Sequence, residues 1–152
     1  MTQDNFEVSS EKGTDAKTVH TYNIGAKGYA EKYESMGARR KDVDRGFSFI
    51  NKAAPLVVEL GCGNGREEAV ILEKTERYIG VDVSQNMIEI ALRNIPEANF
   101  IVSDAVNYNF PQNTDIVFAF ASLLHLDRIK MGQLFKKISQ ALGENGILYI
   151  YH

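Results

Sequence analysis

Apolar residues fall into short runs separated by stretches with helical spacing, and the pattern changes character near Pro55. Before it, "TYNIGAKGYAEKYESM" places Tyr22, Ala26, Tyr29, Ala30 and Tyr33 three and four residues apart. That spacing predicts a helix from Thr21 to Met36, weakened in its first half by Gly25 and Gly28. A second helix is predicted across "RRKDVDRGFSFINKA", with Val43, Phe47 and Ile50 on one face and Pro55 ending it. After Pro55, strands and helices alternate. "LVVEL" shows little polar alternation, as expected of a strand covered on both faces. "RYIGVDV", "NFIVSD", "TDIVFAFA" and "GILYIYH" read as four more strands. "GREEAVILEKT" is expected to begin a helix. Ser84 is a good N-cap for a helix carrying Met87, Ile88, Ala91 and Leu92. "DRIKMGQLFKKISQAL" should turn Met131, Leu134, Phe135, Ile138 and Leu142 inward, with Gly143 placed to terminate it.

This alternation implies right-handed crossovers and an α/β fold, a Rossmann-like doubly wound and mostly parallel sheet. The chain has 152 residues, 44% hydrophobic and 24% charged, which suits one soluble domain. Residues 1–17 lack periodicity and are expected to be a flexible arm, leaving 18–152 as the domain. A net charge of −3 offers no large basic footprint, so nucleic acid is not expected as a partner. The polar N-terminus has no signal-type core, and no apolar stretch approaches the roughly 20 residues of a membrane span. One cysteine, Cys62, permits no internal disulfide and cannot by itself hold a metal. These features point to a cytoplasmic protein with no membrane association and no metal site.

The candidate chemistry lies at the strand ends. Gly61, Gly63 and Gly65 follow "VVEL" at every second position, where a doubly wound sheet binds its ligand. A tight turn needs one glycine; three suggest that a ligand meets the backbone. The spacing is G-x-G-x-G, and Glu67 and Glu68 open the next helix, so the loop is expected to repel a pyrophosphate. Glu59 can hold an ammonium group, directly or through water, or can accept bonds from loop amides. Asp82 stands 21 positions after Gly61, near the offset at which an acidic residue meets a ribose hydroxyl pair. Its other reading, a helix cap, is weakened by Ser84 in the cap position. Asp104 ends the third strand, where a carboxylate can take an adenine amine while the Ala105 amide faces a ring nitrogen.

Taken in order, "VVELGCGNGRE", "YIGVDVSQNMIEIA", "IVSDA" and "TDIVFAFASLLHL" resemble the successive motifs of class I S-adenosylmethionine-dependent methyltransferases, from Leu56 to His152. The resemblance implies S-adenosyl-L-methionine as cofactor and a small-molecule acceptor. It implies that the Gly61–Gly65 loop cradles the amino acid moiety and that Glu59 supports its ammonium. Asp82, with Val83 beside it, would bind the ribose. Met87 would pack near the adenine, Asp104 and Ala105 would recognise its edge, and Phe120 would lie near the sulfonium. The N-terminal helices would cover the cofactor, with Tyr22 or Tyr29 facing it. The amino-methylating signature [DN]-P-P-[YF] is absent after the fourth strand. His125 is a candidate general base or a structural loop residue.

Members of this family usually have seven strands. This sequence stops after the fifth, so it is a fragment or a naturally short relative; the stop inside an apolar strand favours a fragment with an exposed fifth-strand edge, prone to self-association. Two alternatives stay open. One is a cofactor-binding chain without transfer activity. The other is a nicotinamide-dependent oxidoreductase, disfavoured by the glycine spacing and the acidic first turn.

Overall fold

A computed structural model describes residues 16–120 and 122–151. The expected arm therefore lies outside the described residues, apart from Ala16 and Lys17. These two already belong to helix α1 (Ala16–Met36), which starts five residues before Thr21. The second helix, α2 (Arg40–Ser48), stops well short of Pro55. Five strands follow: β1 (Val57–Leu60), β2 (Tyr78–Asp82), β3 (Phe100–Val102), β4 (Thr114–Phe120) and β5 (Leu142–Tyr151). Between them lie α3 (Glu68–Leu72), α4 (Gln85–Asn94) and α5 (Arg128–Ala141). The strands form one parallel sheet in the order β3-β2-β1-β4-β5. The chain thus winds outward in both directions from β1, the topology that opens a crevice at the carboxyl ends beside the first strand.

Period-two alternation sorts the central strands onto two cores. Val58, Leu60, Val117 and Ala119 pack with Leu134, Ile138 and Ala141 of α5. Val57, Ile116, Phe118 and Phe120 pack with Val43 of α2 and Val70 and Ile71 of α3. All four residues of β1 are buried, so the missing polar alternation of "LVVEL" does reflect cover on both faces, and all seven of β4 are buried as well. Contact with the sheet is close: a Cβ on Gly46 would sit 2.5 Å from the Phe118 ring.

Ser84 caps α4, its Oγ accepting the Met87 amide N–H at 3.3 Å, and Asp127 caps α5 through the Lys130 amide at 2.8 Å. Three expectations are corrected. The helix after the glycines is only five residues long, because residues 61–67 form turns and Thr75 folds back to the Pro55 carbonyl at 2.7 Å. Phe135 is 38% exposed, since it lies one residue off the buried stripe of Leu134, Ile138 and Ala141. Gly143 does not take a left-handed turn. Leu142 leaves the helix extended (φ −59°, ψ 131°) and opens β5 directly. There Leu142 pairs with Thr114 and Ile147 with Ile116, so β5 bulges beside the start of β4. Asn145 takes φ +60° within that bulge.

Candidate active site

The chain leaves β1 through the glycine loop, which is tied to β2. The amides of Gly61 and Cys62 both donate to the Val81 carbonyl, at 2.7 and 3.1 Å. Gly61 and Gly63 have φ of +69° and +56°, in the left-handed region that glycine enters without steric cost. The Gly63 amide then donates to Asp82 Oδ2 at 2.9 Å, and the Ser84 amide to Asp82 Oδ1 at 2.9 Å. Asp82 therefore braces two loops. Burial lifts its carboxyl above the ordinary value, opposed by the amides of Ser84, Gly63 and Val83, which favour the charge.

These loops enclose a cavity of about 150 Å³. Gly61, Gly63 and Asp82 form one side, with Val83 and Met87 beside them. Ser103 and Ala105 contribute from the end of β3; Phe120, Ser122 and His125 from the end of β4. Met87 and Phe120 are buried, whereas His125 is exposed at the rim. Sequence reasoning thus named half of the wall: Gly61, Gly63, Asp82, Val83, Met87, Ala105, Phe120 and His125 are brought together.

Other expected residues are placed elsewhere. Glu59 is fully buried behind the wall, on the same face of β1 as Val57. Its Oε1 accepts the Tyr78 hydroxyl at 2.6 Å, and its Oε2 has no hydrogen-bond partner among the described residues. Burial first, and the Glu67 charge second, push its carboxyl well above the ordinary value. Gly65 turns toward the Phe100 ring, 3.2 Å from where its Cβ would lie, and is not in the wall. Asp104 is not in the wall either. Its Oδ1 accepts the Val106 amide at 2.8 Å, the local turn bond that Asp readily makes. The side chains of Tyr22 and Tyr29 lie outside the described residues. Helix α1 itself docks on α4, where Asn23 bonds Ser84 Oγ at 2.7 Å and, through its carbonyl, Asn86 at 2.7 Å.

The acidic start of the helix also differs from expectation. Glu67 does line the cavity, but its Oε1 takes the Arg66 Nε at 2.6 Å and lies 4.0 Å from the Arg39 Nε. Glu68 is buried and outside the wall. The charge that was expected to repel a phosphate is thus met by two guanidinium groups. Arg39, Arg66 and Ser122 were missed as wall residues. Arg39 stands between two helices, where no spacing in the sequence indicates which way its side chain turns.

Fold and cavity together define a Rossmann-like protein with its ligand site at the switch point beside β1. A family described as "Methyltransferase domain" matches residues 57–146. The chain belongs to the class I S-adenosylmethionine-dependent methyltransferase family. It is 29% identical over 97 residues to a trans-aconitate 2-methyltransferase of Afipia carboxidovorans, covering 62% of this chain and 37% of that one. Over 105 residues it is 36% identical to a carboxy-S-adenosyl-L-methionine synthase of Helicobacter hepaticus, covering 64% and 44%. The chain therefore spans less than half the length of these relatives. Among solved structures, a protein from Methanococcus maripaludis described as an S-adenosyl-L-methionine-dependent methyltransferase superposes with a TM-score of 0.72 at 21% identity, covering 84% of this chain and 62% of that one. The Haemonchus contortus phosphoethanolamine N-methyltransferase 2, solved with S-adenosylhomocysteine and phosphomonomethylethanolamine, gives 0.64 at 25% identity, covering 74% and 28%.

Proposed function

We propose that this chain binds S-adenosyl-L-methionine in the cavity and transfers its methyl group to a small-molecule acceptor. The observation that carries the reading is Asp82. Each of its oxygens accepts one amide N–H, from Gly63 and from Ser84. A carboxylate offers about four acceptor sites, so these bonds leave room for hydroxyl donors from a ligand. The wall fits the rest of the cofactor: Val83, Met87 and Ala105 offer apolar surface to a base, and the backbone at Gly61 and Gly63 can be approached closely.

The cofactor, when bound, supplies a methyl group on a positively charged sulfur, already activated toward displacement. The chain's own residues need only bind, orient and exclude water. Phe120 closes the cavity at the end of β4, its ring stacked on Phe118 and lying under the Arg39 guanidinium. His125, at the rim, can take a proton from an acceptor that must lose one, and stays idle when the acceptor is already nucleophilic.

Calorimetric titration tests the reading. S-adenosylhomocysteine should bind near ~1 μM, roughly −8 kcal/mol. Tighter binding of NAD would overturn the cofactor assignment. Binding without turnover across a panel of small acceptors would favour a cofactor-binding chain over an enzyme.

The open side of β5 supports a second reading, self-association. Among the described residues β5 pairs only with β4, and Ile150 and Tyr151 are 43% and 45% exposed. Its stretch from Gly146 to Tyr151 carries no charge, and such an edge invites another strand. Light scattering across a concentration series should show mass rising with concentration; a constant monomer mass would refute this. Among the described residues, no helix is long and apolar enough to cross a membrane.

A further inference from the structure

Helix α1 is held to the rest of the chain at few points. Among its described residues only Ala26 is buried, Ile24 is 73% exposed, and neither apolar core contains one of them. Its polar attachment is specific, because Asn23 grips the first turn of α4 twice. The Asn23 side-chain oxygen accepts the Ser84 hydroxyl at 2.7 Å, and its main-chain carbonyl accepts the Asn86 side-chain amide at 2.7 Å.

Ser84 carries that grip inward. It is fully buried, and its Oγ accepts the Met87 amide at 3.3 Å while giving its own proton to Asn23. Its backbone amide donates to Asp82 Oδ1 at 2.9 Å. Asn23, Ser84 and Asp82 therefore form one run of hydrogen-bonded residues from an outer helix to the carboxylate in the cavity wall. Neither Asn23 nor Ser84 is in that wall, whereas Asp82, Val83 and Met87 on either side of Ser84 are. Without the Asn23 oxygen, the hydroxyl proton of a buried residue loses its acceptor, which is costly. Any shift of Ser84 toward another acceptor also moves the amide that holds Asp82.

We infer that Asn23 is a positioning residue for the ligand site: through Ser84 it holds the Asp82 carboxylate in the orientation that receives a ligand hydroxyl. The inference rests on the methyltransferase reading and adds to it a residue on α1 that acts without lining the cavity.

Titration of the full chain with S-adenosylhomocysteine tests it, with thermal melts as the control for folding. Asn23→Ala keeps the main-chain carbonyl that Asn86 uses, so α1 stays docked and only the partner of Ser84 is lost. It should weaken binding roughly 3- to 10-fold. Asn23→Asp keeps the acceptor oxygen and should bind within about 2-fold of the unaltered protein. A role independent of Asp82 would add to the effect of losing that carboxylate, whereas a role exerted through Asp82 would not. On an Asp82→Ala background, Asn23→Ala should therefore change affinity by less than about 2-fold. A loss as large on that background as on the unaltered one would overturn the inference. So would normal binding by folded Asn23→Ala, or binding by Asn23→Asp as weak as that of Asn23→Ala. Failure of the unaltered chain to bind S-adenosylhomocysteine would instead overturn the methyltransferase reading, and the inference with it.

Discussion

Asp82 Oδ2 accepts the backbone N–H of Gly63 at 2.9 Å, so the carboxylate at the end of β2 holds the glycine loop at the end of β1. One side chain thereby shapes the cavity and faces it. Asp82→Ala should cost roughly 1.5–3 kcal/mol of S-adenosylhomocysteine affinity, from the lost charge-assisted bonds and a looser loop. The sheet should survive, because the carboxylate lies at a strand end. Calorimetry with a circular dichroism control checks both. An unchanged dissociation constant in the folded variant would confine Asp82 to loop bracing.

The glycine loop can be probed at two positions that fail for different reasons. A Cβ on Gly61 would lie 2.2 Å from the Ser122 Cβ, at φ +69°. Gly61→Ala should therefore push apart the loops after β1 and β4 and cost about 2–4 kcal/mol of stability. Gly63→Val should act mainly on binding, placing a branched side chain in the cavity wall at φ +56°. Denaturation and titration of both variants should show stability loss dominant in the first and affinity loss dominant in the second. Normal titration by the valine variant would show that ligand does not meet the loop.

Glu68 gives a dependence on pH with a definite sign. It is fully buried, and neither carboxylate oxygen has a partner among the described residues. Burial first, and the charge of Glu97 second, push its pKa up from 4.5 to about 7. The native state then binds this proton more tightly than the unfolded chain does. Its contribution is fully present below about pH 4.5 and is lost as pH rises through about 7, on the order of 2 kcal/mol in all. Glu68→Gln removes the titration, so the variant should gain on the unaltered protein by about that amount between pH 5 and pH 8. Urea denaturation at the two pH values measures it. A stability difference that does not move with pH would mean that Glu68 titrates alike in both states.

Tyr78 and Glu59 form a buried pair at 2.6 Å. Tyr78→Phe leaves Glu59 Oε1 without its donor and should destabilise by about 1–3 kcal/mol. Adding Glu59→Met replaces both partners with apolar groups and should recover most of that loss. A double variant less stable than Tyr78→Phe alone would point to a further role for Glu59 in holding the loop.

Local pattern was enough for much of this protein. A branched, non-alternating run such as "LVVEL" needs cover on both faces, and β1 has it. Ser84 caps its helix because a short side-chain oxygen reaches an amide within its own turn. The glycine spacing and the offset to Asp82 marked the crevice, since both depend only on strand length and on one crossover.

Tertiary structure decided what depends on direction and on distant neighbours. Asp104 and Ala105 are adjacent in sequence, yet only Ala105 is in the wall, because the Val106 amide claims the carboxylate. Glu67 and Glu68 looked alike. One meets Arg66 and Arg39, while the other is buried without a partner. Arg39 enters the site only because β4 and β5 pair in the register that sets Phe120 beside Tyr151 beneath it. Periodicity says which face of an element is apolar, whereas the partner of a charge is chosen by chain segments that meet only after the sheet has formed.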